Sequence, residues 1–369
     1  MHNSFSLGRI KNIEIKIHFS WFLILFLIVW SLADFYFPTN YPGWTQFAYW
    51  LSGGIAAFLL FVSVLLHELS HSLIGKRKNI IVKSITLFVF GGVAEMVSEP
   101  KKPADEFDMA IAGPVASVIL AGIFWGIGIF EIGVAGAAIV NYLFLINVIL
   151  AVFNLVPAFP LDGGRIFRSA LWAKYKDIER ATRRAVGVSR FIAFLFTLWG
   201  IKMLLENNFL SGAWIILISW FLLQAAGSSL KQQRMEEVLS HFSIAQIMEK
   251  DFKNVSPETL LRDLAKDFLE YKQGGFPVEE NDHLVGIVTI EDLRRVPRTK
   301  WSKIKVSEIM TSAEKLLTLR SADTAYDAFL KMANNEFGRL PVVENNKVVG
   351  LVTRNSIILL LAVKCDKCI

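Results

Sequence analysis

Apolar residues crowd into roughly the first 230 positions, in runs too long and too unbroken for the core of a small soluble domain. The runs cover 18–36, 48–74, 109–130, 134–156, 190–205 and 212–230. Most reach the ~20 residues that carry a helix across a bilayer; the fifth is short. Ser31-Leu32-Ala33, inside the first run, faintly resembles a signal-peptide cleavage site. Lys11 and Lys16 make a poor basic region before it, so the run reads as a span. The joining segments alternate in charge. Arg9, Lys11 and Lys16 precede the first span and 38–45 carries no basic residue. Lys76, Arg77, Lys78, Lys83, Lys101 and Lys102 follow the second, and 131–133 carries none. Arg165, Arg168, Lys174, Lys176, Arg180, Arg183 and Arg184 follow the fourth, 207–211 carries none, and Lys231 and Arg234 follow the sixth. Positive residues stay on the cytoplasmic side, so six spans with both termini in the cytoplasm are expected.

Near Ser243 the pattern changes to a soluble α/β one that contains an internal repeat. Gly275-Phe276-Pro277-Val278 recurs as Arg339-Leu340-Pro341-Val342, and Leu284-Val285-Gly286-Ile287-Val288-Thr289 as Val348-Val349-Gly350-Leu351-Val352-Thr353, both at an offset of 64 residues. Ile247-Met248 and Ile309-Met310 open the two copies. Units this small rarely stand alone, so the copies are expected to pair around a shared core. The predicted organisation is a six-span membrane domain over 1–230, a linker over 231–242, and repeat copies over 243–300 and 301–369.

Composition agrees. Of 369 residues, 53% are hydrophobic and only 20% charged, which excludes a disordered or fibrous chain. The 29 Phe and 10 Trp suit a lipid-facing surface. The net charge of +6 is accounted for by basic residues flanking the spans and calls for no nucleic acid. The two cysteines, Cys365 and Cys368, exclude a disulfide framework or a four-cysteine zinc site. Their lone C-x-x-C reads as a solvated tail in preference to a redox pair or a metal site across a dimer.

The chemistry lies in His67-Glu68-Leu69-Ser70-His71. On a helix, positions i and i+4 share a face, so two imidazoles can reach one metal ion, and the intervening glutamate can take a proton from its water. The motif ends an apolar run, where ionisable groups are costly and usually functional. His67 lies nine residues before Lys76, or ~13 Å at 1.5 Å per residue, within hydrocarbon depth of the cytoplasmic face. A catalytic zinc takes three protein ligands and keeps one open position. Of the other histidines, His2 is terminal and His241 and His283 are in the soluble part, leaving His18. Asp162 is the better candidate. It stands in Asn154-Leu155-Val156-Pro157-Ala158-Phe159-Pro160-Leu161-Asp162-Gly163-Gly164, where two prolines break the helix and two glycines permit tight backbone.

These residues resemble the site-2 protease family of intramembrane zinc metalloproteases, in its archaeal and bacterial form with C-terminal CBS domains. His18-Phe19-Ser20-Trp21 is similar to the first-span signature, His67–His71 to the zinc helix, Gly91-Gly92 and Ala112-Gly113-Pro114 to the two intermediate glycine motifs, and Asn154–Gly164 to the final signature. The resemblance implies that His67, His71 and Asp162 bind one zinc per subunit. It implies that Glu68 is the general base, and that Asn154 holds the scissile peptide or its oxyanion. Asn141, Asn147 and Asn154 recur along one helix, however, and an asparagine can simply bond between helices. The implied substrates are transmembrane segments of single-span proteins, cut by regulated intramembrane proteolysis. A membrane-embedded hairpin is also implied. Its strand 85–90, ending at Gly91-Gly92, offers an edge to an extended substrate, with Phe88, Gly91 and Gly92 as contacts.

The repeat resembles a tandem CBS pair, which implies adenine nucleotide (ATP, ADP or AMP) between the copies and a homodimer through them. Thr289-Ile290-Glu291-Asp292 matches the family's ribose pattern, with Thr289 and Asp292 as ligands. Thr353-Arg354-Asn355-Ser356 departs, with Ser where Asp is expected, so at most one well-formed nucleotide site is expected. Arg339 and Lys347 can meet phosphates, but read more simply as solvated cations. The expected fold is therefore a multi-pass α-helical membrane protein with a short β hairpin, plus a soluble α/β CBS pair. The principal alternative is a CBS-gated transporter or channel without proteolytic activity, which does not require His67, Glu68, His71 and Asp162 together. A di-iron membrane oxygenase would need more than six histidines, and a silent scaffold would not keep every zinc residue.

Overall fold

A computed structural model describes residues 4–80, 82–89, 91–96, 100–281, 283–335, 337–345 and 347–365. The chain divides into two compact units, Met1–Leu230 and Lys231–Ile369.

Among the described residues of the first unit and the helix that leaves it, six helices are long and apolar enough to cross a membrane. The first runs Ser20–Asn40, as α1 (Ser20–Ser31), a π-helical turn (Leu32–Tyr36) and α2 (Phe37–Asn40). The others are α3 (Gln46–Arg77), α4 (Pro103–Ile127), α5 (Gly133–Asn154), α7 (Ile178–Leu205) and α8 (Phe209–Ser240). A shorter helix, α6 (Asp162–Tyr175), lies between α5 and α7. The expected short fifth span is in fact a 28-residue helix. It starts earlier because Asp177 caps it, accepting from the Arg180 N–H at 3.0 Å.

The expected hairpin is β3 (Val82–Phe88) and β4 (Gly91–Met96), but it is half of a larger sheet. Residues before the first span fold as β1 (Ser4–Ile10) and β2 (Ile13–His18), giving the order β1-β2-β3-β4. β2 pairs parallel to β3 and the other pairs are antiparallel. Ile13, Ile15 and Ile17 alternate with Glu14 and Lys16 and face inward, where Ile13 and Ile15 pack on Leu69, Val82 and Ile85. Lys11 and Asn12 turn the hairpin with φ of 48° and 66°, the double left-handed turn that suits strand twist. The consequence is a correction. The strand carrying Phe88 is bonded on both sides, so it offers no edge. The edge strands of the sheet are β1 and β4, and the one next to β3 is β4, which begins with Gly91 and Gly92.

In the second unit the two copies repeat a two-stranded core: β5 (Gly275–Glu280) with β6 (His283–Thr289), and β8 (Arg339–Glu344) with β9 (Lys347–Thr353). Around them lie α9 (Ile244–Ile247), α10 (Leu261–Tyr271), α11 (Ile290–Arg294), β7 (Thr311–Ser312), α12 (Ala325–Asn335) and α13 (Arg354–Lys364). The opening segments are exchanged. Ile244 and Met248, which open the first copy, pack with Leu319, Leu340 and Val352 of the second. Val306 and Met310, which open the second, pack with Leu264, Phe276 and Val288 of the first. Gly286 and Gly350 make room: a Cβ on Gly350 would lie 2.6 Å from Met248 Sδ, and one on Gly286 2.8 Å from Met310 Sδ. Residues 231–242, read as a linker, are helical through Ser240, and Leu239 is fully buried in the second core. Cys365 follows α13, and Cys368 lies outside the described residues.

Candidate metal centre

The i, i+4 spacing on α3 sets both imidazoles on one face, and the rings are 4.9 Å apart between centroids. Asp162 opens α6, directly after the turn that breaks α5. Its Oδ2 lies 3.1 Å from His67 Nε2 and 3.2 Å from His71 Nε2. One ligand atom from each residue falls within 4.8 Å of the others, and both histidines are buried.

The far nitrogens of both rings are committed. His67 Nδ1 is 2.8 Å from the buried Ser117 Oγ, and His71 Nδ1 is 2.7 Å from the Met109 carbonyl, both on α4. Each ring therefore turns its Nε2 toward Asp162, the second-sphere arrangement that prepares imidazoles for a metal. Gly113 lies over the same spot. A Cβ there would collide with His71 Nε2 and come within 2.6 Å of His67 Nε2. Two imidazole nitrogens, one carboxylate oxygen and a space no side chain fills suit zinc.

Asp162 is held from behind. A Cβ on Gly163 would collide with the Leu155 carbonyl, and one on Gly164 would lie 2.7 Å from Ala158 backbone, so α6 can start here only with glycines. One turn on, Arg168 Nε donates to Glu106 Oε1 of α4 at 2.7 Å, and both side chains are buried. This pair joins the helix that bears Asp162 to the one that orients the histidines. No periodicity marks Glu106 or Ser117 in the sequence. Glu106 is one acid among three in Asp105-Glu106-Phe107-Asp108, and Ser117 is one small residue in an apolar run.

A cavity of about 540 Å³ opens beside the three residues. Glu68, Phe88, Gly91, Gly92, Asn154 and Arg165 are among its lining residues, so the other site residues predicted in the membrane domain gather here. Gly92 packs against Glu68: a Cβ on it would collide with the Glu68 side chain. Asn154 spends one amide hydrogen on the Leu150 carbonyl at 3.0 Å, which leaves one for a visitor. Asn147 is different. It is fully buried and donates to Ser63 Oγ and the Leu143 carbonyl, the inter-helix role open to any of the three asparagines. His18 is not brought in, since its Nδ1 bonds Ser20 Oγ at 2.8 Å, which in turn accepts from the Val89 N–H.

In the second unit, Thr289 and Asp292 form the cap of α11, with Thr289 Oγ1 donating to Asp292 Oδ2 at 2.7 Å. Both line a cavity of about 380 Å³, together with Arg295 and Arg339. Arg339 is half-buried and donates to the Gly275 carbonyl at 3.0 Å, so it is no simple solvated cation. Burial holds its guanidinium below the usual arginine range. Lys347 is exposed.

Both units of the chain are similar to known proteins. The family described as Peptidase family M50 matches residues 55–138 and 134–198, and the CBS domain family matches 244–298 and 306–363. Protein sll0528 of Synechocystis is 32% identical over 366 residues, 97% of this chain and 95% of its own. Zinc metalloprotease MJ0392 of Methanocaldococcus jannaschii is 30% identical over 359 residues, 97% of this chain and 96% of its own. A solved site-2 protease from the same archaeon is 32% identical and covers 61% of this chain and 94% of its own, with a TM-score of 0.43.

Proposed function

Because the chain belongs to the M50 family of site-2 zinc metalloproteases and carries a CBS pair, we propose that it cuts peptide bonds within transmembrane segments of other membrane proteins, under control of nucleotide bound to its cytoplasmic module. The observation that carries this reading is the meeting of His67, His71 and Asp162 within 4.8 Å, with both histidines on a helix long and apolar enough to cross a bilayer.

In this reading His67, His71 and Asp162 hold zinc, which supplies Lewis acidity to a water and to the peptide carbonyl. Glu68 takes the proton from the attacking water and passes it to the leaving amine. Asn154 donates its spare amide hydrogen to the peptide being cut. A substrate helix has its carbonyls already bonded, so it must unwind first, and helix-breaking residues near the cut favour cleavage. The unwound stretch is received at β4, whose Gly91–Ala94 stretch both borders the cavity and lies on the open side of the sheet. The alternation of basic loops supports a cytoplasmic position for both termini and the CBS pair. Thr289 and Asp292 bind the ribose of an adenine nucleotide, and the pair associates into a homodimer.

The test is cleavage of a single-span reporter by the purified full chain in detergent. Glu68→Gln is expected to keep zinc and lose ~10²–10⁴-fold in rate. A chelator is expected to abolish cleavage and added zinc to restore it. Stoichiometric zinc with equal rates for wild type and Glu68→Gln removes Glu68 from the mechanism. Failure to bind zinc favours the CBS-gated transporter.

A further inference from the structure

The second CBS copy lacks the aspartate that the first copy places beside its threonine, yet a carboxylate stands there all the same. Glu249 Oε1 is 3.3 Å from Thr353 Oγ1 and 3.3 Å from Ser356 Oγ. Glu249 comes from the opening segment of the first copy, which crosses to the second. Its backbone is pinned by two hydrogen bonds with Leu351 of β9, at 2.8 and 3.0 Å. In the first copy the equivalent pairing is made by Thr311 with Ile287 of β6. The two halves have therefore exchanged side chains. The cavity beside Thr289 has a hydroxyl at 311 and a carboxylate at 292, whereas beside Thr353 a carboxylate stands at 249, bonded to the hydroxyl at 356.

Glu249, Thr353, Arg339, Lys272 and Arg354 line a second cavity of about 440 Å³. Two carboxylates line it, Glu249 and Asp251, of which Glu249 can accept from both hydroxyls of a ribose, and the cations can meet a phosphate. Arg339 lines this cavity and the first alike.

We propose that Glu249 replaces the missing aspartate, so that the module binds a nucleoside phosphate at each of two sites and not at one. This rests on the proposed reading of the Thr289–Asp292 cavity as a nucleotide site, and it adds the second site and its ribose-reading residue. The two ligands share Arg339, so their affinities are coupled.

The experiment is calorimetric titration of AMP into the full-length protein in detergent. Wild type is expected to bind two AMP per chain. Glu249→Gln, which keeps the shape and the backbone pairing, is expected to weaken one of them at least tenfold. Asp292→Asn weakens the other, and the double variant loses both. AMP lacking its 2′-hydroxyl should lose affinity at the Glu249 site of wild type and much less in Glu249→Gln. A single AMP per chain, bound equally by wild type and Glu249→Gln and lost in Asp292→Asn, overturns the second site while leaving the first. No AMP bound by wild type overturns the nucleotide reading itself. Glu249→Asp, which keeps the charge but shortens the reach, separates loss of the acceptor from misfolding, because its denaturation midpoint should match that of Glu249→Gln.

Discussion

His67 and His71 each have two ring nitrogens, and which one faces the cavity is decided outside the cavity. Ser117 fixes one ring and the Met109 carbonyl the other. Ser117→Ala should leave the fold intact but free the His67 ring, lowering zinc affinity by ~10–100-fold. Competition with a fluorescent chelator measures this directly. Unchanged affinity would mean that packing alone orients the ring. The meeting of His67, His71 and Asp162 was legible in the sequence because the cues are local: i and i+4 on one helix, and a Pro/Gly-bounded aspartate. Their supports were not legible. Ser117 is 50 residues from His67, and Glu106 is 62 from Arg168. Contacts of that span are set by how helices pack, and an isolated serine or glutamate has no pattern to betray it. The same holds for Gly113. The glycine was legible, but its reason, the exclusion of a Cβ from the place where two imidazole nitrogens converge, belongs to the fold.

At the scale of elements, the spans were legible because a bilayer imposes length and apolarity together. The first two strands were equally legible by their own rule. Ile13-Glu14-Ile15-Lys16-Ile17 alternates at period two after a Lys-Asn turn, but basic residues ahead of an apolar run invite an orientation reading instead. This matters for the site, because β2 occupies one side of β3, and of the two strands at the edges of the sheet, β1 and β4, it is β4 that borders the cavity. Along a strand the N–H groups alternate in direction, so one of Val93 and Ala94 presents its N–H to the open edge. Proline at that position should lower kcat/KM by roughly threefold to tenfold, the equivalent of one hydrogen bond of about 0.5–1.5 kcal/mol, with zinc binding unchanged. Proline at its neighbour breaks the ladder with β3 and should cost stability as well. A paired reading of cleavage rate and thermal midpoint tells the two apart. If both prolines leave cleavage untouched, substrate is received elsewhere.

At the scale of the whole molecule, the repeat was legible from identical offsets, but its exchange of opening segments was not, since the sequence gives no sign of which core Ile244 enters. That exchange makes the copies interdependent. Leu319→Ala, in the core that holds Ile244, should destabilise the module by ~2–5 kcal/mol. Both copies should then unfold in one transition in denaturant, whereas two transitions would mean that each copy stands by itself. Interdependence is also what gives nucleotide a lever. A ligand regulates only by binding two states unequally, and a module whose cores share segments has no way to tighten one copy without moving the other. AMP should therefore change the rate of reporter cleavage, and the change should vanish in the double variant Glu249→Gln/Asp292→Asn. Typical couplings of about 1–3 kcal/mol correspond to effects of about 5–150-fold. Binding linkage is reciprocal, so a substrate segment held by Glu68→Gln, which binds without cutting, should shift AMP affinity by the same factor that AMP shifts substrate affinity. Calorimetry with and without that segment reads it. Equal AMP affinity in both, together with equal cleavage, would reduce the module to a passive tether.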